Sequence, residues 1–301
     1  MQEKYYIAFS CDKKTRHNSS SGGFIKEALA YLLRERIVEG ALVVRQNYPY
    51  FFSDILETPQ ELDQMQGSVY APVDFESGIA KMENGKKYAV VGIPCQLHKL
   101  FKKKPYLTIG LFCSGTPCWQ GTEFFLKRYK IKDVLNIKYR GRGWPGKIEI
   151  KTKDKTYCFD RRISLLSPKL RCVYLAAFKE SFLQDKCLFC QDHSNKLADI
   201  SVGDAWSEAG KDSQGSNFLI VRTEKGQELV QELVKRNIIF VKEVASEVIF
   251  QFSKKKKPLF LKTKRKLAKS RFSFLLVPLV FFEEYIIKFP FGGIIRKIKN
   301  G

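Results

Sequence analysis

Cysteine is thin on this chain, eight residues in 301, too few for a disulfide scaffold and better suited to metal ligation or reactive thiols. No apolar run is long enough to cross a bilayer. The longest, Phe272 to Phe282, is broken by Ser273 and Pro278 and falls well short of the ~20 residues a span requires. The opening stretch MQEKYYIAFSCDKK lacks the apolar centre of a secretory signal, so a cytoplasmic, reducing setting is expected. There is no G-x-G-x-x-G fingerprint and no Gly-Lys-Ser/Thr phosphate loop. There is no internal repeat either, and no recognisable nucleic-acid-binding motif.

Acidic residues are also in deficit, 31 against 53 Lys and Arg, for a net charge of +22. Residues 251–301 hold 14 of the basic residues and only two of the acidic ones. That tail alternates lysine clusters with the apolar run, so two readings stand: it lies in an anionic membrane interface, or it packs on the body with its lysines solvated. The remaining 250 residues share the 44% hydrophobic content of the whole and can bury a sizeable core. Three portions are expected: residues 1–85, residues 86–250, and the basic tail 251–301.

The pattern along the chain predicts an α/β fold with a mixed, largely parallel sheet, flanking helices and a small antiparallel region. KYYIAF (4–9), ALVV (41–44), FFSDIL (51–56), YAVVGI (88–93), YLTIGLF (106–112), ADISVGD (198–204) and NFLIVRT (217–223) read as strands. The stretch from residue 23 to 38 puts Phe24, Ala28, Leu32 and Leu33 on one helical face. KGQELVQELVKR is a second amphipathic helix. Thr58 and Glu61 form a candidate capping box. Residues 136–159, with their glycine-rich turns, give the antiparallel region.

Three features carry chemistry. HNSSSGGF (17–24), between a strand and a helix, offers backbone N–H groups to an anion, although serines before a helix are also ordinary caps. VVGIPCQ and TIGLFCSG each end an apolar strand on a cysteine. If those strands are parallel, Cys95 and Cys113 emerge at the edge where open α/β sheets bind ligands. A helix N-terminus beside Cys95 is expected to lower its thiol pKa. Cys187 and Cys190 form the close pair, with His193 three residues on. The context of the pair, with Leu188 and Phe189 between the sulfurs, argues against a redox disulfide. Zinc, taking the pair and His193, and an iron–sulfur cluster, taking four thiolates, both remain open on local chemistry.

Taken together, SSSGG (19–23), GIPCQ (92–96), GLFCSGTP (110–117), YRGRGWPG (139–146) and CLFC followed by ADISVGDAW (187–206) resemble the beta subunit family of coenzyme F420 hydrogenases and dehydrogenases. The resemblance spans roughly residues 5 to 225. It implies an oxidoreductase with FAD at the Ser-Gly loop and sheet edge, and one 4Fe-4S cluster held by Cys95, Cys113, Cys187 and Cys190. Ser20, Ser21, Gly22 and Gly23 would face the FAD phosphates, with Arg140, Trp144 and Asp204 in the cofactor or substrate pocket. Cys11, Cys118, Cys158 and Cys172 fall outside the motifs.

Two departures bear on the substrate. Many members carry a ferredoxin-like segment at the N-terminus that this chain lacks, which implies an outside electron donor, an acidic protein such as a ferredoxin. Members commonly have Ser-Lys-Tyr where Ser68, Val69 and Tyr70 stand here, which removes a basic contact and puts the deazaflavin substrate in doubt. Relatives of this kind also act on other small acceptors, and many bacterial ones resemble enzymes of polysaccharide gene clusters. The rival expectation is a non-catalytic or zinc-binding scaffold of the same fold, docked at the membrane surface.

Overall fold

The computed structural model describes residues 2–100, 102–161, 168–206, 212–250, 261–270 and 272–283. In chain order the elements are β1 (Lys4–Ser10), α1 (Lys13–Asn18), α2 (Phe24–Arg34), β2 (Gly40–Asn47), β3 (Tyr50–Leu56), α3 (Glu76–Lys81), β4 (Tyr88–Gly92), α4 (Pro94–Leu97), β5 (Leu107–Leu111) and α5 (Trp119–Arg128). There follow β6 (Val134–Lys138), β7 (Lys147–Thr152), β8 (Thr156–Asp160), α6 (Pro168–Leu175), α7 (Asp185–Phe189), β9 (Ile200–Asp204) and β10 (Asn217–Val221). The last are α8 (Glu224–Lys235), β11 (Ile239–Glu243), α9 (Ser246–Phe250), α10 (Leu261–Ala268) and α11 (Leu276–Phe281).

Eight strands form one sheet in the order β11-β1-β10-β9-β5-β4-β2-β3, and β6-β7-β8 form a separate antiparallel sheet. The centre, β9-β5-β4-β2, is parallel, with Ile109 opposite Ile200, Ala89 opposite Leu107 and Ala41 opposite Ala89. Its strands are apolar on both faces because helices cover both. Ala41, Val43, Ala89, Val91, Leu107 and Ile109 face α2 and α8, while Leu42, Tyr88 and Val90 face the side of α3 and α4. The predicted helical face of Phe24, Ala28, Leu32 and Leu33 is buried. Antiparallel strands close the flanks: β3 beside β2 at one end, and β10, β1 and β11 at the other.

A second core fills the space between the small sheet and α5, α6 and α11, around Phe125, Ile137, Tyr139, Ile150, Phe178 and Leu276. Burial therefore takes the inner face of the apolar tail segment, through Leu276, Val277 and Val280. The lysine clusters at 254–257 and 296–299 lie outside the described residues. The capping box is only half present: Glu61 Oε2 accepts the Thr58 and Glu57 N–H groups at 3.0 and 2.9 Å, at the start of a single 3-10 turn. Among the described residues no helix is long and apolar enough to cross a membrane.

Candidate functional site

Strand directions decide where the motifs meet. β1 is antiparallel to β10, and β10 to β9, so β1 runs with β9, β5 and β4, and all four end at one edge. Cys95 follows β4 and Cys113 follows β5, which are parallel neighbours. Asp204 ends β9, and Ser10, ending β1, donates its N–H to Gly22 O at 2.7 Å. The Ser-Gly loop, both strand-end cysteines and the aspartate thus share the C-terminal edge of the parallel strands, where such sheets bind ligands.

The segment carrying Cys187 and Cys190 is fastened to that edge. Cys113 N donates to His193 O at 3.0 Å, and His193 Nδ1 lies 2.9 Å from Cys113 O, so His193 grips the backbone of a cysteine. Asn195, fully buried, donates from Nδ2 to Gly92 O at 2.8 Å. It fits because Gly110 has no side chain: a Cβ there would stand 2.5 Å from Asn195 Cγ. Thr116 N donates to Cys187 Sγ at 3.4 Å. Gln96 Oε1 accepts the Ile93 N–H at 2.9 Å and fixes the turn that presents Cys95. The roles of His193 and Asn195 were not legible in the sequence, although a glycine inside an apolar strand is the signal that could have pointed to a close approach.

Cys187 and Cys190 lie close enough to both strand-end thiols to act on their charge. Cys187 and Cys190 oppose ionisation of Cys95, and Cys187, Cys95 and Cys190 oppose that of Cys113. For both strand-end thiols loss of hydration is the larger influence, and the net direction is upward. This corrects the expectation for Cys95: the four-residue α4 provides a dipole too short to offset desolvation and neighbouring thiols. Cationic metal centres would reverse that balance by holding the sulfurs as thiolates. Among the described residues no three His, Cys, Asp or Glu side chains close on a single ion. The other cysteines are elsewhere: Cys172 and Cys118 belong to the second core, Cys158 stands exposed on β8, and Cys11 is exposed after β1.

Beside the thiols lies a polar recess. The loop joining β6 to β7 reaches over the edge, and Arg140 Nη1 binds Asp204 Oδ2 at 2.6 Å while Nη2 binds Ser20 O. Burial opposes the Arg140 charge, but Asp204 more than restores it, so the guanidinium is held more firmly protonated than usual. Its Nε is buried and has no partner among the described residues. The Arg140 guanidinium carbon is 5.2 Å from the Trp144 ring, and Trp144 packs on the exposed Trp206 with centroids 4.4 Å apart. Asp204 is therefore the ion-pair partner of Arg140. An orphaned guanidinium N–H beside an accessible pair of indoles fits a group that combines anionic and flat aromatic parts, as FAD does.

The Ser-Gly loop is drawn tight. Ser21 Oγ donates to Ser216 O at 2.6 Å, and Ser20 Oγ accepts the Ser68 N–H at 2.9 Å. Both hydroxyls thus hold the loop in place. Gly22 is needed for contact with the sheet, since a Cβ there would meet Ala8 O at 2.7 Å and Asn217 N at 2.8 Å. Next to Ser68, Lys179 Nζ sits 4.6 Å from the Tyr70 ring centre. Lys179 comes from the π-helical turn Ala176–Glu180.

The similarities to known proteins follow the same layout. Residues 5–80 match the N-terminal model, and residues 85–247 the C-terminal model, of the coenzyme F420 hydrogenase/dehydrogenase beta subunit. A coenzyme F420 hydrogenase subunit beta of Methanococcus voltae is 23% identical over 255 residues, covering 79% of this chain and 83% of that one. An F420-dependent formate dehydrogenase subunit beta of Methanocaldococcus jannaschii is 24% identical, covering 88% of this chain and 68% of the relative. A coenzyme F420-dependent sulfite reductase of the same organism is 28% identical across 80% of this chain but only 38% of its own length. In the solved F420-reducing [NiFe] hydrogenase complex of Methanosarcina barkeri, one chain superposes with a TM-score of 0.60 at 21% identity, covering 89% of this chain and 88% of that one. Those relatives are oxidoreductases or their subunits, and this chain is a member of the coenzyme F420 hydrogenase/dehydrogenase beta subunit family.

Proposed function

We propose that this protein is a flavin- and 4Fe-4S-dependent oxidoreductase that passes electrons from an acidic protein donor such as a ferredoxin to a small-molecule acceptor. The observation that supports it most is the gathering of Cys95, Cys113, Cys187 and Cys190 at the sheet edge that also carries Arg140, Asp204 and the Ser-Gly loop. When bound, FAD together with a cluster supplies the exchange between single electrons and hydride. The protein's own part is placement and charge. Cys95 and Cys113 would hold the cluster from the parallel strands, and Cys187 and Cys190 from α7 and the residue after it. Arg140, fixed by Asp204 and Ser20 O, offers its remaining N–H to an anionic group. Trp144 and Trp206 offer ring faces. Backbone N–H groups of Ser20, Ser21, Gly22 and Gly23 are assigned to the phosphates.

The net charge of +22 suits an acidic donor or an anionic acceptor. With Lys179 beside Tyr70, the deazaflavin coenzyme is one candidate acceptor. A polysaccharide precursor is another. A cytoplasmic setting accords with cysteines kept as thiols.

Anaerobic purification followed by iron, sulfide, zinc and flavin analysis tests the proposal. Iron and sulfide in equal amounts, about four of each per chain for one such cluster, with flavin, is the expected result. A colourless protein with neither after reconstitution, or one holding zinc alone, would refute it in favour of a scaffold.

A further inference from the structure

We propose that the segment from Phe272 to Phe282 docks the protein on an anionic lipid surface. The inference stands independently of the cofactor content. The segment divides its side chains between two environments. Leu276, Val277 and Val280 are sealed into the second core, whereas Phe272, Phe274, Leu275, Phe281 and Phe282 are 44%, 56%, 40%, 40% and 47% exposed. One exposed phenylalanine needs no explanation, but five large apolar side chains crowded into one segment mark an interaction site.

The charge around the segment selects the partner. Lys266 and Lys269, exposed at the end of α10, precede it. Residues 251–301 carry a net charge of +12. Apolar rings beside lysines match the layout of a lipid interface, where rings enter below the headgroups and ammonium groups stay among the phosphates. A second copy of this chain would bring a like-charged tail against it, which disfavours self-association through this face. α11 is six residues long, so the segment lies in the interface and does not cross.

The surface is mounted firmly. Lys264 Nζ, fully buried, bonds both Glu180 on the body and Glu283 just past α11, tying the start and end of the tail segment together. Arg265 pairs with Asp185, the first residue of the helix that carries Cys187. Docking through the rings would therefore give the cysteine edge a fixed orientation relative to the membrane.

The test is co-sedimentation of the full chain with vesicles of phosphatidylcholine alone and of phosphatidylcholine mixed with phosphatidylglycerol. The expected result is pelleting with the anionic vesicles only. Phe274→Glu combined with Phe282→Glu, and separately Lys266→Glu combined with Lys269→Glu, should each lower the partition at least about tenfold. Phe240→Glu, at an exposed phenylalanine on β11, should leave it unchanged. All four lysine and phenylalanine positions are exposed, so the variants should keep the parent's thermal midpoint. Absence of binding by the parent, equal binding by either pair of substitutions, or a dimer in light scattering that the phenylalanine pair abolishes would overturn the proposal. The last result would reassign the face to a second copy.

Discussion

Tyr70, packed among three cations, departs from the ordinary behaviour of a buried phenol. Burial alone would raise the Tyr70 phenol, but Lys179, Arg140 and Arg161 outweigh it and bring Tyr70 down to about 7. Its neighbour Tyr174 is pushed the other way by burial and by Tyr70 itself. The sign follows directly: raising the pH through about 7 should develop the near-ultraviolet tyrosinate band of one residue, several units before ordinary phenols ionise. Tyr70→Phe should abolish that early step and Lys179→Met should move it up towards 10. A native protein with no phenol ionising below pH 9 would show that the cations do not control Tyr70. The cysteines give a second residue-scale expectation. Cys187→Ser should abolish cluster absorption in reconstituted protein, whereas Cys158→Ser, on the outer strand β8, should keep it. Equal loss in both would break the ligand assignment.

At the scale of elements, the cysteine edge depends on how closely the 190–198 loop approaches β5. Gly110→Ala would place a Cβ 2.6 Å from that of Ala198 and 2.5 Å from Asn195 Cγ, forcing the loop outwards. Overpacking of this kind costs about 1–3 kcal/mol, which urea unfolding would measure, and cluster retention should fall with it. The strands themselves were legible in the sequence. YAVVGI and YLTIGLF are apolar at every inward position because both faces of β4 and β5 are covered, and two such strands in succession imply a parallel pair. The motifs likewise placed Cys95 and Cys113 at one edge, whereas Cys187 and Cys190 joined them only through the family resemblance. What could not be read was side-chain reach across the chain: Lys179 to Tyr70, Asn195 to Gly92, Arg140 to Ser20 O. Such contacts arise from packing angles that local periodicity does not encode. The thiol pKa at Cys95 was misjudged for a related reason, because helix length and burial depth are properties of the folded edge.

For the whole molecule, the described tail residues 261–270 and 272–283 are part of the body rather than an appendage. Lys264 lies at zero exposure between two carboxylates that are themselves buried. Removing one partner of such a set leaves uncompensated charge and costs on the order of 3–5 kcal/mol. Lys264→Met should therefore lower the urea midpoint substantially. Glu283→Gln, which leaves Glu180 to neutralise the ammonium, should cost less. Matching stability of the Lys264→Met variant and the parent would show that the ion set contributes nothing.

β1, near the start of the chain, sits between β10 and β11, with Lys4 opposite Val221 and Tyr6 opposite Glu243. During synthesis its two hydrogen-bonding sides stay bare until β10 and β11 have left the ribosome. An open strand edge of that kind invites pairing with other chains. Birth order therefore matters here: β1 stays open to wrong pairing until β10 and β11 are made, and the cysteine edge cannot close before β9 and the loop before it. Whatever that edge holds can be loaded only after β9 has been made.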